Sequence, residues 1–188
     1  LQWYRETFAP DAPFDALVSE AEAVPAGAEG LLFAPYLSGE RTPHADPQAR
    51  GAFVGLTLAH TRAHCTRAVL EGVAFGLCDS LELLRAMGVS LHELRLTGGG
   101  AKSPLWRRIL ASMFGQPVHT LQAEEGPAYG VALLAGVGVG VWNSVPEACA
   151  ATVQLADTTA PNPDDQAVYA QLYPRYRRLY PALQPFWA

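Results

Sequence analysis

The 188 residues are 49% hydrophobic and 16% charged, which is the balance of a globular chain and excludes a disordered or fibrous one. With 18 acidic against 13 basic side chains, the net charge of −5 excludes a general nucleic-acid or anionic-membrane binder, since both need a basic surface. The longest mainly apolar run, 131–142, is too short and too glycine-rich to span a bilayer.

No charged segment followed by an apolar stretch opens the chain, so no signal peptide is read and a cytoplasmic location is expected. Cys65, Cys78 and Cys149 are odd in number and far apart, and no Cys-x-x-Cys occurs. They are expected to be core residues in a reducing compartment. The chain opens Leu1-Gln2-Trp3-Tyr4 without an initiator Met and reads as part of a longer protein. Twelve of the 13 basic residues are Arg, and the single Lys is Lys102.

Apolar residues at Phe14, Leu17, Val18, Ala21 and Val24 have helical spacing, with Asp11 and Pro13 suited to the start. The run 31–37 reads as a buried strand, 38–50 as an irregular loop rich in proline and charge, and 51–58 as a second strand. The longest predicted helix covers 61–87, with Thr61 as N-cap and Gly88 beyond its end. It carries a bulky stripe (Val69, Val73, Leu77, Leu81, Leu84) and a small one (Ala68, Gly72, Gly76, Ser80). Glycine inside a helix costs about 0.5–1 kcal/mol against alanine, so the small stripe predicts close approach of another backbone.

Further on, 93–97 reads as a strand, 104–115 as a helix, 117–121 as a strand and 127–141 as a helix rich in Ala and Gly. Asn162 is an N-cap candidate, with Pro163 at the first helical position and Asp164 and Asp165 in the first turn. That helix is expected to reach about Leu183 with a kink at Pro174. Alternating helices and strands make the class α/β, in one domain.

The segment with most chemical content is Thr97-Gly98-Gly99-Gly100-Ala101-Lys102-Ser103-Pro104-Leu105-Trp106. A strand runs into three glycines and then into a helix with Ser103 as N-cap and Pro104 at its first position. Glycines let a ligand approach the backbone, the helix start offers free N–H groups to an anion, and Lys102 adds a cation. The spacing is neither a Walker A motif nor a dinucleotide fingerprint. The same residues also read as a plain glycine turn before a capped helix.

Other features read as structural. Glu124 and Glu125 before the 127–141 helix suit a solvated pair at a helix start better than an acid–base pair. Gly136, Gly138 and Gly140 fall late in that helix and do not form a dinucleotide motif. His60 precedes the helix cap, so His60 and His64 are not expected to share a helix face or hold a metal. No Gly-x-Ser-x-Gly elbow occurs.

Three blocks together resemble the C-terminal half of sugar kinases of the FGGY family. The first is Pro35-Tyr36-Leu37-Ser38-Gly39-Glu40-Arg41-Thr42-Pro43-His44. The second starts at Gly51-Ala52-Phe53-Val54-Gly55-Leu56 and continues through His64 to Ala68-Val69-Leu70-Glu71-Gly72-Val73, with Cys65 where the family has a large aliphatic or aromatic residue. The third is the glycine segment followed by Glu125-Gly126-Pro127-Ala128-Tyr129-Gly130.

The resemblance implies one lobe of the actin-like, ribonuclease-H-like ATPase fold over 1–188. It implies a nucleotide site at Gly98, Gly99, Gly100, Ala101, Lys102, Ser103 and Pro104, with Gly99 and Gly100 packed on the nucleoside. Pro104 stands where glycerol kinases present an Asn to the base. ATP with Mg²⁺ is the implied phosphoryl donor. D-xylulose, held by a sugar-binding lobe outside this chain, is the implied acceptor; gluconate, ribulose and glycerol are the alternatives, and a freestanding nucleotide-binding module is another. The base and most residues near Mg²⁺ are implied to lie in that other lobe, so the chain alone is expected to be inactive. Its uncovered surface is expected to favour a homodimer.

Overall fold

The computed structural model describes residues 1–122 and 126–187. In chain order the elements are α1 (Gln2–Phe8), α2 (Phe14–Glu22), β1 (Leu32–Ala34), β2 (Ala52–Val54), α3 (Arg62–Ala86), β3 (Leu94–Leu96) and α4 (Pro104–Phe114). They continue with β4 (Val118–Leu121), α5 (Gly126–Gly138), α6 (Val145–Thr152), β5 (Leu155–Thr159), α7 (Pro163–Arg177) and α8 (Leu179–Leu183).

The strands form two small sheets. β1 and β2 pair antiparallel, with Phe33 opposite Phe53. The other sheet has the order β3-β4-β5, with β3 parallel to β4 and β5 antiparallel to it. Helices cover these sheets, which is the mixed α/β arrangement expected of a single lobe of the actin-like ATPase fold.

α3 organises the interior. Thr61 caps it through a reciprocal box in which the third residue of the helix, His64, returns Nδ1 to the Thr61 N–H at 3.2 Å. The first half of α3 is buried nearly all round, from Thr66 through Gly72. The expected close backbone approach is there: a Cβ on Gly72 would collide with the Phe33 carbonyl oxygen of β1. Of the bulky stripe, Val69 and Leu81 are buried, whereas Leu77 and Leu84 are exposed towards the far end.

An ion pair is sealed at this crossing. Arg67 Nε donates to Glu71 Oε1 at 2.6 Å, one turn along α3, and both side chains are buried. The same Oε1 accepts from the Tyr169 hydroxyl of α7 at 2.9 Å and from the Gly27 N–H at 3.0 Å. The Arg67 guanidinium also donates to the Val24 carbonyl and the Tyr169 oxygen. Burial pushes the Glu71 carboxyl up, and Arg67, Gly27 and Tyr169 pull it back. A buried pair persists only where such partners satisfy it.

Several boundaries differ from the sequence expectation. The strand read over 51–58 is confined to Ala52–Val54, because Gly55 takes φ +98° and turns the chain out of the sheet. The C-terminal helix carries Pro174 within α7, but its interruption falls at Arg178, between α7 and α8. Cys78 is buried, whereas Cys65 and Cys149 are half-buried.

Candidate functional site

The parallel pair β3 and β4 ends on one side of the sheet, and the glycine segment follows β3 there. In open α/β sheets this carboxyl edge is where ligands sit, because the loops there are free to vary. Gly98 holds φ +79°, ψ −177°, a conformation that L side chains rarely adopt. The chain then makes one tight turn, Gly99–Lys102, with Ala101 N–H bonded to Gly98 O at 3.1 Å and Ser103 N–H to Gly100 O at 3.0 Å. Ser103 Oγ accepts from the Trp106 N–H at 3.2 Å and Pro104 occupies the first turn of α4, as the sequence predicts.

The turn separates two cavities. One, of about 640 Å³, lies between α2, α3 and the loop. Its walls include Phe14, Val18, Val69, Val73 and Trp106, with Gly99, Gly100, Lys102, Ser103 and Pro104 along one side. The other, of about 560 Å³, is more polar and opens at the strand ends, with Thr97, Gly98, Ala101, Arg107, Thr120 and Asp157 among its lining. Gly99 and Lys102 line both. The seven residues singled out from the sequence therefore run from the glycine turn into the start of α4, each bordering at least one cavity.

The three glycines are not equivalent. Around Gly98 and Gly99 a Cβ would meet no heavy atom within 4 Å. A Cβ on Gly100 would lie 3.1 Å from Trp106 Nε1 and 3.2 Å from its Cδ1. A side chain at Gly100 would therefore press on the indole. Sequence reasoning did not single out Trp106 as a site residue.

Arg107 Nη1 donates to Asp157 Oδ2 at 3.1 Å, tying α4 to β5 beside the polar cavity. The Asp157 N–H also donates to Thr120 Oγ1 at 3.1 Å, so both ends of that wall are fixed. Glu124 and Glu125 lie outside the described residues.

His60 and His64 do come together, with ring centroids 5.4 Å apart, although His60 precedes the helix. Each ring caps a local turn, His60 Nδ1 accepting from Thr57 N–H and His64 Nδ1 from Thr61 N–H. Among the described residues no group of three or more His, Cys, Asp or Glu side chains could hold a metal ion. No described helix is long and apolar enough to cross a membrane.

Comparison with known proteins agrees with this geometry. The profile of the FGGY family of carbohydrate kinases, C-terminal domain, matches residues 1–139. The xylulose kinase of Bacillus subtilis (strain 168) is 42% identical over 180 residues, covering 96% of this chain and 36% of the relative. The crystal structure of ligand-bound xylulose kinase from Lactobacillus acidophilus superposes with a TM-score of 0.92 at 33% identity, over 99% of this chain and 38% of that one. The gluconate kinase of Lactobacillus acidophilus superposes with a TM-score of 0.89 at 34% identity, over 97% of this chain and 37% of that one. The chain thus spans little more than a third of these relatives. It belongs to the FGGY family of carbohydrate kinases, of which it represents the C-terminal domain.

Proposed function

We propose that the whole of 1–188 serves as the nucleotide-holding lobe of an ATP-dependent sugar kinase whose acceptor is D-xylulose and whose product is D-xylulose 5-phosphate. The observation that carries this is the glycine turn itself. It stands at the carboxyl edge of two parallel strands, shaped by a Gly98 conformation that side chains disfavour, with Gly99 open to solvent on a cavity boundary. An apolar cavity edged by exposed backbone suits a nucleoside, whose flat base buries well and whose polar edges need N–H and C=O partners.

In this reading Gly99 and Gly100 rest against the nucleoside and Ala101, Lys102, Ser103 and Pro104 border it. The γ-phosphoryl group of ATP passes in line to a hydroxyl of the sugar, and positioning and charge neutralisation supply most of the rate. In this reading the chain's own part is to hold and orient the nucleotide. No catalytic base is assigned to it.

D-xylulose is favoured over other acceptors by the run of xylulose kinases among the similar proteins. Gluconate is the second reading, on the similarity to a gluconate kinase. The test is ADP release by the complete protein that carries this chain, with Mg·ATP and a panel of D-xylulose, D-ribulose, gluconate and glycerol. D-xylulose is expected to give the highest kcat/KM. A higher value with another sugar reassigns the acceptor, and no ATP-dependent turnover on any of them removes the kinase reading. The chain alone is expected to bind ATP without turning over sugar.

A further inference from the structure

Gly100 poses a question that the nucleotide reading does not answer. Its φ lies outside the left-handed region, so the backbone does not demand glycine there. Its missing Cβ does not face open space, as that of Gly99 does. What excludes a side chain is the edge of one indole, with Trp106 Nε1 at 3.1 Å and Cδ1 at 3.2 Å from the place a Cβ would take. Contacts that close force one neighbour to shift by a few tenths of an ångström.

Trp106 is held from both sides. Its backbone N–H donates to Ser103 Oγ, the cap of α4, and Ser103 N–H donates to Gly100 O. These bonds fix the spacing between the glycine turn and the first turn of the helix. Its side chain packs against the main core cluster while remaining half-exposed, and it forms part of the wall of the apolar cavity. A tryptophan serving only the core would have no reason to meet both the turn and the cavity.

We infer that Trp106 is a positioning residue for the nucleotide, wedged under Gly100 so that its indole sets the height of the glycine turn and walls the cavity that receives the nucleoside. The inference rests on the nucleotide reading of that cavity. Gly100 and Trp106 form a matched pair: the glycine is small because the indole is present, and the indole fixes where Gly99 and Gly100 present their backbone. A smaller residue at 106 leaves the turn unsupported, and a larger one at 100 lifts it.

The test is a double-substitution cycle in the complete protein, read by ADP binding, by steady-state kinetics and by thermal unfolding. Gly100→Ala is expected to raise the ADP Kd and the ATP KM by about tenfold, with the sugar KM within about twofold of wild type. Trp106→Leu is expected to raise them as well. The double variant is expected to bind ADP more tightly than Gly100→Ala alone, because the shorter side chain leaves room for the new methyl. Trp106→Phe keeps a flat wall and is expected to retain most of the affinity.

Additive effects of the two substitutions overturn the pairing. A sugar KM that rises as much as the ATP KM overturns the positioning role. Should the wild type itself fail to bind ADP, the nucleotide reading falls and this inference with it, a result seen before any variant is made. Unfolding curves show which variants remain folded, and Trp106→Phe keeps the question open to measurement if Trp106→Leu does not fold.

Discussion

Two glycines in this chain lack a side chain for opposite reasons. Gly72 lies inside α3, where the Phe33 carbonyl of β1 occupies the space of a Cβ. Gly99 lies in the turn after β3, where the space of a Cβ is empty out to 4 Å. The first glycine is filled by the protein and the second is left for something else. A run of small residues thus means packing in one place and access in another. What separates them is the neighbour, which the sequence does not name.

The packed side of the comparison should give the largest effects. Arg67→Leu strands the Glu71 carboxylate against Tyr169 and Gly27, and removal of one partner from such a pair costs about 3–5 kcal/mol. Denaturant unfolding should show this as a lower midpoint at unchanged slope, and a midpoint within error of wild type would mean the pair is dispensable. Gly72→Ala should cost about 3 kcal/mol, lowering Tm by about 10 °C in a chain of this size, because the obstacle is backbone and cannot rotate away. A calorimetric Tm unchanged by this substitution would erase the distinction between the two glycines.

On the open side the effects should be smaller and of another kind. Gly99→Val should leave stability within about 1 kcal/mol, since its side chain enters empty space, while raising the ATP KM about tenfold. A lower Tm with an unchanged ATP KM would move Gly99 to the packed class. The mildest probe needs no substitution. Cys78, on the buried face of α3, has its thiol pushed up to about 12 by burial. At pH 8 its thiolate fraction is about one in 10,000, so it should resist iodoacetamide until the protein unfolds. Cys149, half-buried on α6, should be alkylated in the folded state. Mass mapping of the modified peptides decides this, and early alkylation of Cys78 would show α3 to be loosely packed.

Elements with strong punctuation were legible in the sequence. Thr61 and Gly88 bound α3, Ser103 and Pro104 start α4, and Asn162 caps α7 through Asp164 and Asp165 N–H. Three elements were missed. β5 reads Leu-Ala-Asp-Thr-Thr and is mostly exposed at a sheet edge, so no apolar alternation marks it. α6 is eight residues long, although Ser144 followed by Pro146 is a start signal that could have been used. α1 has little to mark its start, since Leu1 makes no side-chain cap bond.

The glycine turn was legible as a candidate site because its residues are contiguous. The cavity beside it was not, because Phe14, Val18, Val69 and Val73 come from two helices far away in sequence. The contact between Gly100 and Trp106 was also hidden. Whether an indole six positions away points under a turn depends on how α4 leaves the loop, which a one-dimensional reading does not carry.

The sealed pair on α3 has a consequence for the order of assembly. Glu71 Oε1 collects donors from Gly27, Arg67 and Tyr169, the last of them 98 positions further along the chain. Until α7 has been made and docked, Glu71 lacks the hydroxyl that covers it, and the crossing of α3 with the Gly27 turn is incomplete. α7, which follows this junction in the chain, therefore acts as a lock on it. Residues 27 to 71 should gain full hydrogen-exchange protection together with α7, making these two distant stretches a single cooperative unit.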